Sequence, residues 1–346
     1  MSRFSITARA ALLSVLSFMS ASAGAWATDD PERATSAAAR EIELYQSVNR
    51  VLVMMRVGDG DLVPMVFDTG SDGATIERSL AKRLQLKEIG QVRAVDGTTG
   101  NEQLLTEVTI PDVKLGGLKV GRIDAAVFDY DRNDAMGIVS SEMFTDSLLY
   151  LDLSNDRALL TPRNTSRLPA GAATEYVEGI PSTHIVLPDG STLPAHFDTG
   201  YNAALSLPIS MMNKIPLFEQ AKVIGRFKSI NTEGEVYGGR VKGTIKIGPV
   251  TLENPDVAFL GDLANIGLPI IRQVTLVIDA AADRNWVLPA GAQPGPSHSP
   301  HPLRNHFAYS AGMAPCCPFA VNNSAPPAAP QQEVNACAKN RAYSRS

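Results

Sequence analysis

Over residues 41–162, and again over 175–289, short runs of β-branched and other apolar residues alternate with Gly/Asp turns, and long helical periodicity is scarce. That rhythm predicts an all-β fold built from many short strands. Residues 62–67 (Leu-Val-Pro-Met-Val-Phe) and 192–197 (Thr-Leu-Pro-Ala-His-Phe) read as strands, each reached through an Asp-Gly hairpin signal, Asp59-Gly60 and Asp189-Gly190. Helical patterning is confined to residues 79–84 and 210–215, and late in each block a strand is expected to end at Asp156-Arg157 or Asp283-Arg284. Between the blocks, residues 163–174 carry the polar, small-residue composition of a linker.

The two blocks repeat one another. Asp59-Gly60 recurs as Asp189-Gly190, Pro64 as Pro194, Phe67-Asp68-Thr69-Gly70 as Phe197-Asp198-Thr199-Gly200, and Gly137 as Gly267, every pair 130 residues apart. Coincidence over so many landmarks is improbable, so the sequence predicts a tandem duplication with one lobe at 41–162 and a second at 175–289.

Composition adds bounds. The 346 residues are 44% hydrophobic and 19% charged, enough for two ordinary cores, and the net charge of -5 excludes a phosphate-neutralising surface for nucleic acid. Arg3 and Arg9, the apolar stretch at 10–19 and the small-x-small site Ala25-Trp26-Ala27 predict a signal peptide over residues 1–27. The apolar stretch is too short to span a bilayer. The protein is thus expected to be exported, to the periplasm or beyond the cell, with a short leader at 28–40. Residues 290–346, rich in Pro and Ala, are expected to be a disordered tail; they hold all three cysteines, so neither lobe has a disulfide. His298, His301 and His306 lie near Cys316 and Cys317, but their spacing fits no zinc pattern, and neither metal nor cofactor is expected.

The candidate chemistry is the repeated Asp-Thr-Gly. One copy of such a tripeptide reads as a surface turn. Two copies, each directly after an apolar strand and at equivalent points of a repeat, read as a paired site. If the lobes face one another about a pseudo-twofold axis, Asp68 and Asp198 meet there. Two carboxyl groups that close cannot both ionise cheaply, so they share a proton, one acting as general base towards water and the other as general acid. No Gly-x-Ser-x-Gly elbow, phosphate loop or His-Glu-x-x-His offers a competing chemistry.

Phe67-Asp68-Thr69-Gly70-Ser71 and Phe197-Asp198-Thr199-Gly200-Tyr201 resemble the two active-site signatures of pepsin- and retropepsin-like aspartic peptidases. Ala135-Met136-Gly137-Ile138 and Asn265-Ile266-Gly267-Leu268 resemble the apolar-Gly element that crosses behind the catalytic loop in that family. The resemblance covers roughly residues 45–162 and 180–288. It implies two retropepsin-like β-barrel lobes with a cleft between them, as in a fused, single-chain retropepsin dimer of the bacterial exported type. It implies an aspartic endopeptidase that is complete as a monomer and acts on polypeptide. Asp68 and Asp198 would be catalytic. Thr69 and Thr199 would bond across the axis, Gly70 and Gly200 would let backbone approach the carboxylates, and Ser71 would hydrogen-bond the Asp68 carboxylate. Tyr201 departs from the small residue usual there and would place a phenol beside the dyad. That departure motivates the alternative of a non-catalytic peptide- or protein-binding protein on the same fold.

A peptidase of this kind also needs a hairpin that closes over substrate. Gly-containing segments fall between signature and apolar-Gly element in both halves. Gly97, Thr98 and Gly100 are the flap candidates in the first, Gly234 and Tyr237 in the second.

Overall fold

The computed structural model describes residues 39–95, 101–130, 134–164, 166–228 and 233–295. The expected signal peptide, Gly97, Thr98, Gly100, the three tail histidines and all three cysteines lie outside the described residues.

The described chain is mostly β, as its alternating pattern predicts. The first half holds β1 (Arg40–Ile42), β2 (Leu44–Gln46), β3 (Val51–Val57), β4 (Val63–Asp68) and β5 (Ala74–Glu77). A short helix, α1 (Arg78–Arg83), precedes β6 (Lys87–Val95), β7 (Glu102–Leu115) and β8 (Leu118–Phe128). It closes with β9 (Gly137–Ser140), β10 (Ser147–Asp152) and β11 (Arg157–Pro162). The second half holds β12 (Thr174–Glu175), β13 (Ser182–Val186), β14 (Thr192–Phe197), β15 (Leu205–Leu207), β16 (Lys222–Lys228) and β17 (Glu233–Arg240). There follow β18 (Thr244–Ile247), β19 (Val250–Glu253), β20 (Asp256–Phe259), β21 (Ala264–Ile266), the short helix α2 (Leu268–Ile271), β22 (Val274–Asp279) and β23 (Arg284–Pro289).

The strands form three sheets. One has the order β2-β3-β4-β9-β5-β8-β7-β6, and another β16-β17-β20-β15-β21-β14-β13-β18-β19. Read from opposite ends, both share an unusual core: a parallel pair (β4/β9, β14/β21), an antiparallel one (β5/β9, β15/β21) and a second parallel one (β5/β8, β15/β20). The long β7 pairs with both β8 and β3. In the second half β17 and β18 divide those pairings.

The third sheet, β1-β11-β10-β22-β23-β12, takes three strands from each half. Its centre is the antiparallel pair β10/β22, with Leu149 opposite Ile278, Tyr150 opposite Val277 and Leu151 opposite Leu276. Every residue of both strands is buried. Alternation explains this: Leu149, Leu151, Leu276 and Ile278 point into the main core, while Leu148, Tyr150, Val277 and Trp286 form a second cluster on the opposite face. The main core runs without a break through residues of both halves.

Two local expectations are corrected. At 79–84 a helix does form, because the Glu77 carboxylate caps the Ser79 and Leu80 amides. At 210–215 only a 3₁₀ turn over Ile209–Met211 forms; Pro208 stands at its N-cap with no side-chain capping bond. Asp156-Arg157 and Asp283-Arg284 do not end strands. Both aspartates take the left-handed conformation (φ 53° and 48°) in the turns after β10 and β22, and the arginines open β11 and β23.

Candidate active site

Both Asp-Thr-Gly segments lie where a strand leaves its parallel partner. Asp68 is the last residue of β4, opposite Ser140 of β9. Asp198 follows β14, and its N–H donates to the Ile266 carbonyl of β21 at 2.9 Å. Parallel pairing at these points has no hairpin to close it, so each chain turns away sharply, and the small Thr-Gly pair makes that turn.

The two loops interlock. Thr69 Oγ donates to the Phe197 carbonyl (2.7 Å) and accepts from the Thr199 N–H (3.2 Å). Reciprocally, Thr199 Oγ donates to the Phe67 carbonyl (2.7 Å) and accepts from the Thr69 N–H (3.0 Å). Four hydrogen bonds in a fully buried setting thus join residues 128 to 132 apart in sequence. Valine in place of either threonine would keep the shape and lose two of the bonds.

The carboxyl groups converge on Gly70. Its N–H donates to Asp68 Oδ1 at 2.8 Å. A Cβ built on Gly70 would stand 2.6 Å from Asp198 Cγ and 2.8 Å from its Oδ1. Only glycine lets backbone approach one carboxylate that closely while bonding the other. Asp68 and Asp198 are 0% and 2% exposed, and Asp68 Oδ2 has no hydrogen-bond partner among the described residues. An acceptor left bare in such a place points to function rather than stability.

The other expected residues sort as follows. Gly200 is buried in the second loop. Ser71 is buried too, but its Oγ donates to the Gly73 carbonyl at 3.2 Å; this corrects the expected bond to Asp68. The loop turns so that Ser71 closes its own chain, and the Gly70 amide serves the carboxylate instead. Gly234 lies near the β16/β17 turn, where a Cβ would meet the Phe227 ring. Tyr237 is further along β17, paired with Val223 and Phe259, its hydroxyl donating to Glu235 at 2.7 Å.

Tyr201 is only 1% exposed. Its ring packs against Gly267, its N–H donates to the Asp198 carbonyl, and its own carbonyl accepts from Leu268 N–H. The phenol therefore lies under the loop, in the core. Burial pushes its pKa up; the nearby Ser206 hydroxyl opposes the rise and the charge of Asp198 adds to it, although neither hydroxyl completes a hydrogen bond of good geometry.

One neighbouring group escaped sequence reading. Glu142 sits in the 3₁₀ turn Ser141–Met143, directly after β9, and accepts from the Tyr176 hydroxyl at 3.0 Å. Burial pushes its carboxyl up to about 7; bonds from Tyr176 and Ser141 oppose the rise and Asp283 adds to it. Glu142 shares a cleft of about 280 Å³ with Asp72, Gly73, Ser140, Arg122 and Asp124. A signal was present in the repeat: the offset of 130 between Gly137 and Gly267 falls to 127 between Asp156 and Asp283. The first half therefore has three extra residues in the stretch that contains Glu142.

Residues 53–147 match the family model described as aspartyl protease, a span that includes Asp68, the first loop and Gly137. This supports an aspartic-protease family for the first half. No curated protein matches the chain. Among the described residues no helix is long and apolar enough to cross a membrane.

Proposed function

We propose that the protein is an aspartic endopeptidase whose single dyad combines Asp68 from the first half with Asp198 from the second. The observation that carries this reading is the interlock of Thr69 with Thr199, which brings both carboxyl groups against Gly70 in a buried setting. The shared strand order of the two large sheets and the central β10/β22 pair support a tandem duplication folded about a pseudo-twofold axis.

The chemistry follows from two carboxyl groups held together with one proton between them. The ionised member takes a proton from a water, and the water oxygen attacks the peptide carbonyl carbon. The protonated member donates to the carbonyl oxygen as it gains charge. Collapse of the tetrahedral intermediate re-forms the carbonyl, breaks the C–N bond and delivers a proton to the leaving amine. Holding both groups on interlocked backbone removes the entropic cost of bringing them together for each turnover. The substrate class is extended polypeptide. The signal peptide expected from the sequence of residues 1–27 favours action in the periplasm or outside the cell, and a site completed within one chain favours a monomer.

The alternative, a protein that binds peptide without cutting it, was motivated by Tyr201. With its phenol in the core, that residue gives the alternative no specific support. Asp68→Asn is the direct test: the dyad needs both acids, so hydrolysis disappears while the fold persists. A variant that still cleaves peptides contradicts the assignment.

A further inference from the structure

The two large sheets share their strand order around the dyad, β3-β4-β9-β5 in one half and β13-β14-β21-β15 in the other, so their faces can be compared position by position. Side chains alternate along β4: Val63, Met65 and Phe67 point into the main core, which leaves Val66 and Asp68 on the opposite face. In β14, Ala195 and Phe197 point into that core, which leaves His196 on the far face with Asp198 two residues on. Cross-strand register extends each face into a row. Val66 stands opposite Leu52 of β3 and Ile138 of β9, and Ile138 opposite Thr75 of β5. His196 stands opposite Ser182 of β13 and Asn265 of β21, and Asn265 opposite Ser206 of β15.

The rows match strand for strand, but their chemistry differs. Beside Asp68, Val66 and Ile138 pack with Ala135, Leu52 and Tyr130 into an apolar cluster of their own. The one hydroxyl in that row, on Thr75, accepts from the Ile138 N–H at 3.0 Å and pairs with the Tyr130 hydroxyl. Beside Asp198 the row is Ser, His, Asn and Ser, every member buried. Ser182 spends its hydroxyl on the Ile180 carbonyl (2.7 Å). Ser206 Oγ, near the Tyr201 hydroxyl, completes no hydrogen bond among the described residues. Burying such groups has a desolvation cost, and packing does not require it, since the first half fills the same places with Leu, Val, Ile and Thr.

Resting on the peptidase reading, we infer that the two rows are unlike side-chain subsites of one cleft. The row of Leu52, Val66 and Ile138 takes an aliphatic or aromatic residue on one side of the scissile bond. His196 and Asn265 select an uncharged hydrogen-bonding residue, Asn, Gln, Ser or Thr, on the other. Each row lies two residues, about 7 Å, along its strand from a catalytic carboxyl, within reach of the side chains that flank a peptide bond held there. The aspartates themselves are 0% and 2% exposed, so a peptide that reaches them meets rows no more closed than the dyad. An apolar side chain against His196 and Asn265 leaves buried donors and acceptors unmatched, whereas an amide or hydroxyl satisfies them. A charged side chain sheds its water in a row that holds no Asp, Glu, Lys or Arg to pair with it.

Cleavage of a peptide library by wild type, with products sequenced by mass spectrometry, reads the residues on both sides of each cut bond. The profile expected is apolar on one side and Asn, Gln, Ser or Thr on the other. A peptide pair with Gln or Leu at the polar position differs by about tenfold or more in kcat/KM. His196→Val with Asn265→Ile copies the first row into the second and turns that position apolar, while the other side keeps its preference. A wild-type profile that is apolar on both sides, charged at the second position or without preference there overturns the inference. So does a folded double variant with the wild-type profile. Should the double variant not fold, the wild-type profile decides, together with Asn265→Leu. If wild type cleaves nothing, the library is remade with a reduced, uncleavable bond and selected for binding. Bound peptides with the same two-sided preference, shifted in the double variant, keep the subsites while the peptidase reading falls. Binding without that preference, or no binding, overturns the subsites as well.

Discussion

Replacing Thr69 with valine removes a hydroxyl without changing the shape of the side chain. Thr69 is fully buried, and its Oγ serves two backbone groups of the other half, the Phe197 carbonyl at 2.7 Å and the Thr199 N–H at 3.2 Å. A buried backbone group stripped of its partner costs about 1–3 kcal/mol, so the pair costs about 2–6 kcal/mol. Against a total stability on the order of 5–15 kcal/mol this is a large fraction. Urea unfolding followed by fluorescence measures it: the midpoint falls while the slope against urea stays constant. Thr69→Ser keeps both bonds and stays within about 1 kcal/mol of wild type, the loss of a methyl group being its main cost. Because Thr69 and Thr199 also exchange bonds with each other's backbone, the double valine variant is non-additive, with a coupling of about 1–3 kcal/mol. A Thr69→Val protein as stable as wild type would refute the interlock as the device that joins the two loops.

Other consequences are open to direct measurement. Gly137→Ala sets a Cβ onto the Thr75 carbonyl and the Met65 side chain, and is expected to cost about 3 kcal/mol or more, seen as lost soluble yield and a lower Tm. Tyr201→Phe deletes a buried hydroxyl that completes no hydrogen bond, so unfolding should show no change or a gain of up to about 1 kcal/mol; a loss above 1 kcal/mol would contradict the packing described. Asp279→Ala strands Arg163 and Arg284, both partly open to water, and is expected to cost about 3 kcal/mol in urea unfolding. Glu142 makes stability pH-dependent. Its carboxyl sits higher folded than unfolded, so the folded state binds the proton more tightly, and stability present below about 4.5 is lost as pH rises through about 7. The ceiling on that loss is about 3 kcal/mol, and Glu142→Gln removes it from the pH profile of Tm.

Much of this arrangement was legible in the chain. Strand 62–67 ending in Asp68, and strand 192–197 before Asp198, follow from apolar runs cut by Asp-Thr-Gly, and β4 and β14 lie there. The pairing of Thr69 with Thr199 was readable only through the family resemblance, since nothing local to either tripeptide says that its partner is 130 residues away. The fate of Ser71 depended on which way a buried hydroxyl rotates, a choice between the Gly73 carbonyl and a carboxylate that composition does not decide. The stretch at 210–215 carries helical periodicity, but Pro208 and the missing cap limit it to a 3₁₀ turn. Tyr201 looked out of place because a side chain's direction is not written in its position; the chain turns it under the loop. Glu142 was missed because its environment is assembled from Tyr176 and Asp283, contacts that only the folded interface of the two halves creates.

The most direct test of the central claim is cleavage of a mixed peptide library from pH 3 to 7 by wild type, Asp68→Asn and Asp198→Asn, with products read by mass spectrometry. The dyad account expects new termini from wild type alone, in an acidic or mildly acidic window, with both variants folded and silent. Cleavage that survives in either variant, or no cleavage by a folded wild type at any pH in the range, would contradict it.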